Sequence, residues 1–159
     1  MVTVVGATLC ALAVATVALA VSPAHGKHYS GSGEEYMNNH AGPGGYGDAH
    51  QRSSVSFRIS RDGRHVLGFV GGYDFYCGAG HSTVVDKSIV IRRDGTFRAA
   101  GSYPSISYGR HNGTHHATIS GRFIGNGQTA RVTYSVVTHF FIDPHHPCGT
   151  IVRAAAHAR

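Results

Sequence analysis

Three tight-turn signals, Asp62-Gly63, Asp94-Gly95 and Asn126-Gly127, recur with their glycines 32 residues apart. Asp-Gly and Asn-Gly pairs supply the positive φ angles that a two-residue hairpin loop demands. A chain that reverses this tightly at regular intervals is confined to antiparallel β architecture. The flanks agree. Val55, Phe57 and Ile59 alternate with Ser54, Ser56 and Arg58 before the first turn, and Val66, Phe69 and Tyr73 follow it. Ile89 and Ile91 precede the second turn. Ala117, Ile119, Gly121 and Phe123 precede the third, with Ala130, Val132, Tyr134 and Val136 after it. Alternation of this kind marks half-buried strands. No later segment of ten or more residues carries a helical period, so the expected fold is all-β, a small sandwich or closed barrel of about seven antiparallel strands. Thr150 to Val152 supplies a last short strand. The third turn lacks the Arg-Asp of the first two, so the interval reads as the even rhythm of such a fold, not as a duplicated unit.

Ahead of this domain, Val2 to Val21 is uncharged and rich in Val, Ala and Leu. It reads as a signal peptide, assigned to residues 1–26, with small residues at Ala18-Leu19-Ala20 and Ala24-His25-Gly26 offering two cut points. The expected location is extracellular. Met1-Val2-Thr3 brings no Lys or Arg, so the alternative is an uncleaved membrane anchor, about 20 apolar residues being enough to span a bilayer. Leu9 before Cys10 excludes a lipid anchor there. Export leaves Cys77 and Cys148, an even count that predicts a disulfide in an oxidising compartment. Closing that 71-residue loop would stabilise the fold by about 4 kcal/mol in the chain-entropy model. Residues 27–50 are Gly-, Ser-, Asn- and His-rich with no apolar period, which predicts a flexible linker before a β domain over 51–159. Gly42-Pro43-Gly44-Gly45-Tyr46-Gly47 matches GxGxxG, but with no strand before it and no helix after it the match has no meaning as a dinucleotide site.

Taken in order, Tyr46-Gly47, Val55-x-Phe57-x-Ile59-Ser60-x-Asp62-Gly63-Arg64, Cys77, Ile89-x-Ile91-x-x-Asp94-Gly95-Thr96-Phe97, Ile119-x-Gly121-x-Phe123 and Cys148-x-Thr150 resemble a group of uncharacterised exported β domains common in actinobacteria. The resemblance covers about residues 46–154. It departs from the group at Ala154, where a Trp is common. It implies the fold, the disulfide and export, and no activity.

Catalytic chemistry finds little support. GxSxG, HExxH and the phosphate-binding GxxxxGK[ST] are absent. Only Asp74 and Asp86 are placed to serve as a glycosidase pair, which makes a small secreted hydrolase the weakest option. His81-Ser82 are adjacent, and neighbours on a strand face apart. No catalytic residue is therefore assigned.

Histidine is the one excess, 13 residues against 8 acids. His139, His145 and His146, around a rigid Asp143-Pro144-His145-His146-Pro147 loop, form a candidate divalent-metal site for Zn or Cu. The remaining feature is positive charge. The net charge is +6, with 12 Arg among 14 basic residues. Arg58, Arg92, Arg98, Arg122 and Arg131 fall on the outward parity of their strands and form a candidate patch for an anionic cell-wall or surface polymer. Nucleic acid is not expected, since interleaved aromatic and basic groups are missing. Membrane contact is expected only through an uncleaved N-terminal segment. The leading expectation is a secreted, non-catalytic interaction module without a cofactor; a histidine-rich metal-binding protein is the alternative.

Overall fold

The computed structural model describes residues 21–38, 49–74 and 81–159. The described residues form eight strands: β1 (His28–Asn38), β2 (Ala49–Ile59), β3 (His65–Asp74), β4 (His81–Val90), β5 (Thr96–Ser107), β6 (Arg110–Ile124), β7 (Thr129–Phe140) and β8 (Asp143–Ala158). They form one antiparallel sheet in the order β4-β3-β2-β1-β8-β7-β6-β5. The sheet curls into a nearly closed barrel, so the expected all-β class holds. Of the two architectures expected, the barrel is the one found.

Its closure is unusual in placement. The terminal strands β1 and β8 are fully paired, from Tyr29 opposite Ala158 to Asn38 opposite Gly149. The opening lies instead between β4 and β5, which are consecutive in sequence and meet at the single bridge Ile91–Phe97 among the described residues. Gly63, Gly95 and Gly127 have φ of 73°, 75° and 76° and turn the chain between β2 and β3, β4 and β5, and β6 and β7. The 32-residue interval is thus the length of one up-and-down excursion.

Two expected boundaries need correction. Residues 27–50 are not wholly a linker: β1 occupies His28–Asn38 and lies at the centre of the sheet, between β2 and β8, and β2 begins at Ala49. The inward positions of β1 are Tyr29, Gly31, Gly33 and Glu35, a series with no apolar period. The glycines are required by proximity, because a Cβ at Gly31 or Gly33 would strike the carbonyls of Ala155 and Arg153 on β8. Residues 39–48, with the GxGxxG match, lie outside the described residues. Likewise, Asp143–Pro147 is not a loop but the start of β8, which runs for 16 residues where only a short final strand was expected.

The core fills with rings. Phe57 stacks on Tyr29 at 5.1 Å between centroids and packs near Phe69, Phe97 and Phe123 at 6.1, 6.0 and 6.5 Å. Offset and edge-on aromatic pairs of this kind add to the burial of apolar area. Tyr134 reaches across from β7 to lie on Gly71 of β3, where any Cβ would come within 2.8 Å of its ring. Its hydroxyl donates to the Gly72 carbonyl, with the Ser54 carbonyl 3.1 Å away.

Candidate anion-binding face

Register decides which arginines meet. Arg92 donates its backbone N–H to the Thr96 carbonyl at 2.8 Å; Thr96 is opposite Arg122, and Arg122 is directly opposite Arg131. Arg98 pairs with Ser120 and is therefore diagonal to Arg122. All four are exposed. Arg98, Arg122 and Arg131 alternate with the inward Phe97, Phe123, Ala130 and Val132, whereas Arg92, expected on a strand, lies in the connection between β4 and β5 and has no strand parity. Between them the outer face presents Ser120, Thr133 and Ala155, small side chains that leave the guanidinium groups unobstructed.

Sequence parity alone missed a fifth member. Arg153 of β8 pairs with Thr133, diagonal to Arg131, and its guanidinium carbon lies 5.2 Å from the centre of the Tyr36 ring. It belongs to the outward series of a strand that the sequence marked only as far as Val152. Arg58 does not join the row. It lies on β2 opposite His28, with β1 and β8 between it and β7.

Acidic groups bound the row at both ends. Asp94, in the β4–β5 turn, accepts from the Thr96 N–H and hydroxyl at 3.0 and 2.6 Å. These bonds, with a smaller contribution from the charge of Arg122, hold its carboxyl below the usual carboxylate range. Glu34 of β1 is opposite Arg153 and accepts from the Tyr36 hydroxyl at 2.7 Å.

The three candidate metal ligands are placed as follows. His139 on β7 is exposed and sits with its ring 5.5 Å from His116, which in turn contacts the Ser102 hydroxyl through Nδ1 at 2.8 Å. His145 is exposed on β8, and the His146 side chain lies outside the description. Among the described residues no three His, Cys, Asp or Glu side chains come together to hold a metal ion.

Inside the barrel, a polar cluster appears that the sequence did not announce. Glu35 is fully buried. Its carboxylate accepts from the Ser53 hydroxyl, from the Asp74 N–H at 2.9 Å and from the Thr150 hydroxyl at 2.8 Å, tying β1 to β2, β3 and β8. His115 contacts the Thr138 hydroxyl through Nδ1 at 2.5 Å and lies 4.9 Å from the Tyr103 ring. Tyr103 and Tyr73 bring their hydroxyls to 3.4 Å. Burial holds the His115 imidazole below its ordinary value. Burial first, then the charge of Glu35, holds the Tyr134 phenol well above its own. Each of these groups has a partner inside the barrel, which is the signature of a structural network.

A cleft of about 430 Å³ marks the β4–β5 opening, lined by Thr83 to Asp86, Ala99 to Tyr103, Ala117 and Ile119. The Asp74–Asp86 pair does not converge in it. Asp86 is opposite Phe69 and Asp74 opposite His81, five residues further along β3, or about 17 Å. Asp74 also follows the inward Tyr73, on the outward parity. The His81 side chain lies outside the description. Cys148 is buried on β8 opposite Thr138, while Cys77 lies outside the described residues.

No protein-family model matches the chain, and no curated protein does either.

Proposed function

We propose that the chain is an exported, non-catalytic barrel module that holds a linear anionic polymer along the β5–β8 face, through Arg92, Arg98, Arg122, Arg131 and Arg153. The observation that carries this reading is Arg122 directly opposite Arg131. Like charges facing each other across strands destabilise a sheet. A polyanion laid over the pair converts that repulsion into charge-assisted hydrogen bonds, and guanidinium forks suit carboxylate, sulfate and phosphate alike. From β5 to β8 the row crosses three strand spacings, about 14 Å, long enough to meet several charges of an extended polymer.

The Cys77–Cys148 disulfide belongs to the same proposal. Its support is that Glu35 draws the Asp74 N–H and the Thr150 hydroxyl onto one carboxylate. The end of β3 thereby sits beside the stretch of β8 that carries Cys148.

Retention on immobilised heparin across a salt gradient tests the binding reading. Binding should weaken steeply with added salt, because surface charge contacts are screened within about 10 Å at 0.1 M. Arg122→Ser with Arg131→Ser should weaken it at least about tenfold at low salt. Binding indifferent to salt, or unchanged in the double variant, would exclude this face.

A further inference from the structure

The segment Val21–Gly26, the last part of the residues assigned to a signal peptide, is built into the barrel. It crosses one end of the fold and touches the three turns at Gly63, Gly95 and Gly127. Val21 lies on Gly95, where a Cβ would come within 2.5 Å of its carbonyl oxygen. Ser22 packs closer still on Gly127, and so does the His25 ring on Gly63. Pro23 is buried, and Val21 and Ala24 pack against the core. Hydrogen bonds complete the closure. Ala24 N–H donates to the Tyr29 hydroxyl at 2.9 Å, which itself donates to the Gly127 carbonyl, and Gly26 N–H donates to the Ser60 carbonyl at 3.2 Å. Tyr29 is fully buried and stacks on Phe57 in the aromatic core.

The two sequence cut points are therefore not equivalent. Hydrolysis after Gly26 removes the whole cap, strips Tyr29 of its donor and uncovers the turn glycines. Hydrolysis after Ala20 leaves all of it in place. We infer that the maturation site is the Ala20–Val21 bond, and that Val21–Gly26 is retained as a cap sealing this end of the barrel. The step is plain amide hydrolysis by an export-associated peptidase: water is consumed, the bond breaks, and a carboxylate is left on Ala20 and an ammonium on Val21. Small residues at Ala18 and Ala20 meet the requirement of such an enzyme. The new ammonium arises against Gly95, one residue from the Asp94 carboxylate.

The test is to express the full precursor in an exporting host and to determine the mass and first residue of the released protein. The inference requires a chain beginning at Val21. A chain beginning at Lys27, or one still beginning at Met1, overturns it. Ala20→Leu, which places a bulky side chain at the proposed cut, should leave precursor uncut or divert cleavage to Gly26. A diverted product should melt about 4 °C or more below the Val21 form. If it melts at the same temperature, the segment is no cap. Polyanion retention is read separately, so failure here leaves the arginine face untouched, and the reverse.

Discussion

The two ends of the barrel are held by different physics. At the capped end, Tyr29, Phe57, Phe97 and Phe123 interlock and Ile59, Val66 and Ala130 fill the space around them, all essentially excluded from solvent. At the far end the inward positions are Glu35, Ser53, Tyr73, His115, Thr138 and Thr150. One end is specified by shape and the other by hydrogen-bond partners. The difference predicts contrasting responses to substitution: volume changes should dominate at the first, and loss of a single donor or acceptor at the second.

Phe57→Ala should be the most damaging change, costing about 4 kcal/mol, because the ring contacts four other aromatics and its loss leaves a cavity. Denaturant titration measures it. Glu35→Ala follows at about 3 kcal/mol, since the Ser53 hydroxyl and the Asp74 N–H lose the carboxylate and the Thr150 hydroxyl keeps only the Tyr36 carbonyl at 3.4 Å. If Glu35→Ala proved nearly neutral, the far end would be wet rather than a closed network. A subtler contrast is pH. Burial lowers the His115 pKa in the folded state, so the unfolded chain takes up the proton first as pH falls. The stabilising effect of the neutral ring is complete above the ordinary imidazole value near 6.5 and is lost progressively below it. His115→Phe should flatten that part of the stability curve, read by melting temperature between pH 7.5 and 5. Smallest is the outer face. Arg122→Ser with Arg131→Ser should change stability by less than about 0.5 kcal/mol, with any change toward greater stability, because it relieves a like-charge pair.

The same contrast explains what could be read beforehand. The capped end announces itself through Asp-Gly and Asn-Gly turns and strict apolar alternation, and β2, β3, β6 and β7 follow from them. The polar end hides, because its inward residues are of the types that loops contain. β1 is the clearest case: Tyr29, Gly31, Gly33 and Glu35 look like linker composition, yet the glycines admit β8 and the carboxylate binds three strands together. For the arginines, parity identified the outward face of each strand, and register then separated Arg58 from the rest. Which strands become neighbours is a property of closure, and no local pattern encodes it. Arg153 is missed for a different reason: the apolar alternation that marks its strand stops at Val152 and gives way to Ala154-Ala155-Ala156.

Arg58 stands apart from the Arg122–Arg131 row although both are equally outward by parity. Heparin retention at fixed low salt, compared for Arg58→Ser and for Arg122→Ser with Arg131→Ser, tests it directly. The row predicts near-normal retention for the first variant and a loss of at least about tenfold for the second. Equal losses per arginine removed would contradict it, leaving only the general positive charge of the molecule to attract a polyanion.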